Sequence, residues 1–227
     1  EEHLHIDCRK NITNALGPND YQRNLRLKEL EKVLEENKNN VELYQKNAII
    51  SLEIANLYCQ LDRPFYEAKN KFNVAINLAR KAGSKSLIKN VNYDLAWKML
   101  YWYENYDEFF LALDVFKKEI NNTHVIWDIE RYSNLIVSIL PAKYLPEYKE
   151  KTEKEIDEFL ALLKNINYEV ETELFQVEVK TLYIQSRFIL GNEKIENVVR
   201  KLNELFERGQ HLVGYDSVTL LRCLEVF

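Results

Sequence analysis

The sequence predicts an all-α fold, on three observations. Glycine and proline are scarce, apolar residues recur at three- and four-residue spacing along most of the chain, and the polar breaks between those stretches are short. The 227 residues include 5 Gly and 4 Pro, where average usage would supply roughly 16 and 11. Hairpins, bulges and tight turns are built on those two residues. A chain this poor in them lacks the turns of a sandwich or barrel. At 46% hydrophobic residues it still has the material for a substantial core.

The elements follow in order. Asp20 can cap a first helix, with Arg23 standing where a capping box would place Glu. Leu27, Leu30, Val33 and Leu34 form its apolar stripe. After a polar break at residues 37–40, a second helix runs from about Val41 to Leu61, with Leu43, Ile50, Ile54, Leu57 and Leu61 on one side. Asp62-Arg63-Pro64 turns the chain, and Pro64 suits the first turn of a third helix carrying Ala68, Phe72, Ala75 and Ala79. Ala82-Gly83, preceded by Arg80 and Lys81, reads as its C-cap. Ser84 or Ser86 restarts the chain into a fourth helix marked by Leu87, Val91, Leu95, Met99 and Tyr103, and a fifth holds Phe109, Leu113, Phe116 and Ile120.

A sixth helix is expected from about Val125 to Leu140, punctuated by Pro141 and Pro146. The seventh, from Glu147 to about Asn165, opens with a charge run whose Glu147–Lys151 and Glu150–Lys154 spacings favour i,i+4 pairs, so that run reads as a solvated face. The eighth covers about Val170 to Leu190. Its Val177-Glu178-Val179 alternation also fits a strand, but no hairpin partner adjoins it. The ninth holds Ile195, Val198, Leu202, Leu205 and Phe206 and ends at Gly209, and a tenth starts near Asp216. Links this short make neighbouring helices antiparallel. No linker rich in Gly, Pro or Ser divides the chain.

Small and aromatic residues recur within these helices. Ile54-Ala55-Asn56-Leu57-Tyr58 is followed by Ala68, Phe72 and Ala75, and then by Met99-Leu100, Tyr103, Ala112 and Phe116. Leu30 to Tyr44 reads as the end of an earlier unit running into this one, and Leu190-Gly191-Asn192 with Val198, Leu202 and Phe206 is a faint further copy. The pattern resembles the tetratricopeptide repeat, a helical hairpin whose small residues sit where two helices cross. Glu119 departs from it at the last small position of the second unit. The Tyr58-to-Tyr103 interval of 45 residues exceeds the family period of about 34.

The resemblance implies a right-handed α-solenoid of about ten helices in antiparallel hairpins, one TPR-like domain over residues 1–227 with its clearest repeats at 41–120. It also implies a concave face that binds a protein or peptide, as the sensor or scaffold part of a longer protein. Carried onto this chain, that face would show Asn56 and Gln60, then Trp97, Tyr101 and Asn105, and by position Arg131 and Asn134. Amides hydrogen-bond an extended backbone whatever its sequence. Trp and Tyr supply contact area with few rotatable bonds, and Arg grips a carboxylate. The alternative for Trp97 and Tyr101 is plain core packing.

Composition argues against other functions. Lys and Arg number 31 against 36 Asp and Glu, with the signs interspersed, so no basic face for nucleic acid is visible. The longest apolar runs, such as Leu135 to Leu140, fall far short of the ~20 residues a membrane span needs. Cys8, Cys59 and Cys223 are isolated and odd in number, which suits free thiols and a cytoplasmic setting. His3, His5 and Cys8, with Glu2, have metal-ligand chemistry, but a di-iron site needs two E-x-x-H motifs and further carboxylates. His124 and His211 lack an evident nucleophile or acid partner, and no phosphate loop or nucleophile elbow occurs. The expectation is therefore a non-enzymatic interaction module without metal or cofactor. A helical enzyme with a site between repeats, or a structural oligomerisation domain using Leu220 to Phe227, is the alternative.

Overall fold

The structure is a computed structural model of the chain, and it describes residues 19–38, 40–120, 125–165, 172–191 and 193–215. Among these residues there are nine α-helices, two 3₁₀ turns and no strand. The helices are α1 (Asp20–Asn37), α2 (Tyr44–Gln60), α3 (Phe65–Lys81), α4 (Lys85–Tyr101), α5 (Tyr106–Ile120), α6 (Ile126–Ser138), α7 (Lys149–Asn165), α8 (Glu173–Ile189) and α9 (Ile195–Gly209). They fall into two compact units, one ending at Glu119 and the other beginning at Ile120. The tenth helix expected near Asp216, the ligand-like residues Glu2, His3, His5 and Cys8, His124, Cys223 and the segment from Leu220 to Phe227 lie outside the described residues.

In the first unit the most extensive packing is between α2 and α3. Five alanines, Ala48 and Ala55 on α2 and Ala68, Ala75 and Ala79 on α3, have no solvent exposure. Side chains this short let helix backbones approach closely, and Phe72, also fully buried, fills the space beside them. Around α2, Ile50, Ile54 and Leu57 meet Leu27 and Leu30 of α1, while Ala48 meets Ala79 of α3 and Ile88 of α4. The remaining front of α2 carries Ile49, Glu53, Asn56 and Gln60, each at least partly exposed. Tyr93 of α4 packs on Phe116 of α5 with ring centroids 5.9 Å apart. Ion pairs Lys71–Glu31 at 3.0 Å and Lys69–Glu108 tie α3 to α1 and α5.

The ends of these helices follow local chemistry. Asn19, not Asp20, is the cap of α1: its side chain accepts from Gln22 N, and the Gln22 side chain accepts from Asn19 N. That moves the capping box one residue back, and Arg23 pairs with Asp20 at 2.9 Å instead. Ser84 caps α4, as its hydroxyl favours. Gly83 closes α3 in the left-handed region at φ +65. Asp62 and Glu104, with φ of 50, hold the same conformation after α2 and α4 without being glycine. The expected second helix opens with a 3₁₀ turn, Val41–Leu43, and continues as α2.

The second unit stacks α6 on α7 and α8, and α8 on α9. Tyr132 meets Phe159 edge-on at 4.9 Å between α6 and α7. Pro141 stands at the start of the 3₁₀ turn Leu140–Tyr144. The charge run of α7 is mostly exposed, but Thr152 and Glu155 are buried in line with Phe159, so the core stripe begins inside it. Val177 and Val179 both lie in α8 and both are fully buried. The helix is covered on two sides, by α6 and α7 and by α9, which hides the helical period in the sequence. Gly209 ends α9, and a Cβ there would sit 2.6 Å from the Tyr215 ring.

Three substitutions test this fold. Ala55→Leu should lower the unfolding free energy by about 1–3 kcal/mol through overpacking, whereas Val74→Leu, on an exposed position of α3, should leave it unchanged in urea titrations. Glu104→Gly should raise it by about 1 kcal/mol by relieving the left-handed backbone, provided the melt is followed on the full chain.

Candidate functional site

The front of the first unit is formed by α1, α2 and α4, and five of the seven expected binding residues belong to the last two of these helices or to the turn after them. Asn56 is partly buried on α2, and its side-chain amide donates to the Asp94 carboxylate of α4 at 3.2 Å. That bond spans the seam between the two helices. Gln60 is exposed one turn further along α2. On α4, Tyr93, Trp97 and Tyr101 follow one another at four-residue spacing, which places them on one stripe. Tyr93 meets Trp97 edge-on at 6.2 Å, and Trp97 stacks on Tyr101 at 4.7 Å and 18°. Tyr101 is 59% exposed.

Trp97 occupies an intermediate position. Its ring is partly buried, and its indole N–H is buried without a hydrogen-bond acceptor. An unpaired buried donor costs about 1–3 kcal/mol. Trp97 therefore acts as a prop: it packs on Tyr93 and holds the Tyr101 ring against its own face. Tyr101, which keeps more than half of its surface exposed, is the part that faces outward.

Asn105 serves the fold. Its side-chain oxygen accepts from Glu108 N at 3.0 Å, and its carbonyl accepts from Phe109 N at 3.0 Å, which is the geometry of a helix N-cap for α5. Arg131 and Asn134 lie on α6 in the second unit, where the Arg131 guanidinium sits 5.8 Å from the Trp127 ring centroid and Asn134 is exposed.

Sequence reading did not single out the cleft beside Gln60. About 500 Å³ in volume, it lies between α1 and α2 and is lined by Gln22, Arg23, Arg26, Glu53, Leu57 and Gln60. Arg26 grips Glu53 through two bonds, Nε–Oε1 at 2.8 Å and Nη2–Oε2 at 3.2 Å, and this pairing raises the guanidinium above its ordinary range. The i, i+3 and i, i+4 spacing of Arg23 and Arg26, and of Glu53, Leu57 and Gln60, was the available signal.

Three helix ends converge beside this front. Just past α4, Trp102 donates to Asp62 at 3.1 Å and the Tyr103 hydroxyl donates to the Arg63 carbonyl at 3.0 Å. Arg63 donates to Asn24 of α1 at 3.3 Å. Cys59 is a free, buried thiol beneath this junction; burial pushes it up, and the Tyr103 hydroxyl partly offsets that. Desolvation, and then Cys59, push Tyr103 up in turn. Among the described residues no group of acids, histidines and cysteines forms a metal site, and no helix is long and apolar enough to cross a membrane.

Comparison with known protein families, with curated proteins and with solved structures finds no match. The functional reading therefore stands on the geometry of the chain itself.

Because Asn105 caps α5, Asn105→Ala should cost about 0.5–2 kcal/mol of stability and Asn105→Asp should keep most of it, as read from thermal melts of the two variants.

Proposed function

We propose that the first unit is a peptide- or protein-binding module of TPR-like construction, which takes an extended segment of its partner across the front of α2 and α4. The observation that carries this reading is the Trp97–Tyr101 stack. It presents a propped, 59% exposed tyrosine beside the Asn56–Asp94 seam. A rigid aromatic loses little entropy on binding. The Asn56 and Gln60 amides are of the type that pairs with main-chain groups.

Periodicity supports the same reading. Tyr44 and Lys85, which start α2 and α4, are 41 residues apart, and so are Phe65 and Tyr106, which start α3 and α5. In that register Ala55 matches Ala96, both fully buried, and Ser51 matches Asn92, both buried and polar. Asn56 then corresponds to Trp97 and Gln60 to Tyr101, so the front positions repeat from one pair of helices to the next. The short links from Leu61 to Pro64 and from Ala82 to Ser84 turn each helix back on the one before, as a stacked array of hairpins requires. The face uses first-unit residues alone; Arg131 and Asn134 belong to the second. Such a module would act as the scaffold or sensor part of a larger assembly.

Panning a random-peptide phage library against the full chain tests this. Enriched peptides should bind Tyr101→Ala about tenfold or more weakly, the loss expected of an aromatic hot spot. They should bind Tyr66→Ala, an exposed tyrosine of α3, as well as the parent. No enrichment, or equal affinity for the parent and Tyr101→Ala, would overturn the assignment.

A further inference from the structure

The cleft between α1 and α2 has more donors than acceptors. Arg23 spends Nη1 on Asp20 at 2.9 Å, and its Nε is buried with no hydrogen-bond partner. Its side chain is only 14% exposed, so the guanidinium is held in the wall of the cleft. Gln22 accepts from Asn19 through its side-chain oxygen, which leaves its NH₂ as a donor, and Gln60 brings a second amide. The carboxylate of the lining, Glu53, is already clamped by Arg26. What this lining lacks is a free acceptor for its remaining donors, Arg23 Nη2 and the Gln22 and Gln60 amides, and a carboxylate supplies two acceptor oxygens for them.

The cleft is also placed to act together with Tyr101. Cleft residue Gln60 is the residue of α2 that corresponds to Tyr101 of α4, and Arg23 sits across from it at the start of α1. Arg63 contacts both Asn24 and Tyr103, so the three helix ends lie at one level. Ile50, Ile54 and Leu57 face α1, whereas Asn56 reaches α4, so α2 stands between the other two. Two interhelical steps of about 8–10 Å make roughly 16–20 Å. An extended chain rising about 3.3 Å per residue covers that in about five or six residues.

We propose that the cleft between α1 and α2 is a carboxylate subsite: the bound peptide places an acidic group on Arg23, flanked by Gln22 and Gln60, about five or six residues from the residue that packs on Tyr101. This rests on the peptide-binding reading of the α2–α4 face. The acid is either a Glu or Asp side chain or the peptide's own C-terminus. Arg23 offers Nη2 to the ligand and keeps Asp20 on Nη1.

The probes are synthetic fluorescein-labelled peptides: a Trp, a Ser/Gly spacer of increasing length, and a final residue. That residue is Glu, Gln or Lys with an amide-capped end, or Gln with a free carboxylate. Fluorescence anisotropy with the full chain should give tightest binding when the spacing is about five or six residues, and about tenfold preference for an acid over the capped Gln. The two acidic forms distinguish a side-chain carboxylate from a C-terminal one. Arg23→Gln should remove the preference, and Arg23→Glu should transfer it to the capped peptide ending in Lys, a rescue that a misfolded variant cannot give. Equal binding of acid and amide peptides by the parent chain, or no binding by any of them, would overturn the subsite. Capped Gln peptides that still bind, and that lose affinity on Tyr101→Ala, would leave the peptide-binding face standing without it. Phage-selected binders would do the same where the synthetic panel fails.

Discussion

The alanine contact between α2 and α3 is the constraint on which the first unit depends. Ala48, Ala55, Ala68, Ala75 and Ala79 are all fully buried where these two helices pack, and Phe72 is buried beside them. Dense packing of this kind leaves no slack for larger side chains. It fixes α2 with α3 behind it, α1 on one flank and α4 on the other, and so leaves a single stripe of α2 for polar and half-exposed residues. The front of the unit follows from its back.

That arrangement explains why the same helix holds such different side chains. Ile50, Ile54 and Leu57 are spent on α1, and the alanines are spent on α3 and α4. Glu53, Asn56 and Gln60 occupy the stripe that remains, and each engages a neighbour across a seam or lines a cleft. On α4 the corresponding stripe is aromatic. Tyr93 and Trp97 support Tyr101 from below, so a ring that would otherwise sample many positions is held outward by stacking. Rigid contact area on one helix and adaptable amides on the next make a surface suited to an extended chain.

Much of this was legible in the sequence. Helix positions followed from apolar spacing, and Ala68, Phe72, Ala75 and Ala79 stand at helical spacing on the side of α3 that is buried. What was obscured has physical causes. Asp20 and Asn19 are both good caps, and only the reciprocal bonds with Gln22 decide between them. Val177 and Val179 alternate like a strand because α8 is covered on two sides. The repeat interval drawn from Tyr58 to Tyr103 is four residues longer than the 41 separating the helix starts. α4 ends at Tyr101, and Tyr103 lies past it, reaching back to the Arg63 carbonyl. Asn105 carried the right chemistry for a groove but was needed as a cap. The Arg23 cleft was hidden because it takes residues from two helices, each unremarked on its own.

The most direct measurement places a photo-reactive benzoylphenylalanine at Gln60, at Tyr101 or at Tyr66 in the full chain, and maps adducts with a phage-selected peptide by mass spectrometry. Tyr66 and Tyr101 are similarly exposed, at 62% and 59%, but lie on different helices. The account predicts adducts from positions 60 and 101, at separate residues of one peptide, and none from position 66. Adducts from position 66 with none from 60 or 101 would contradict it.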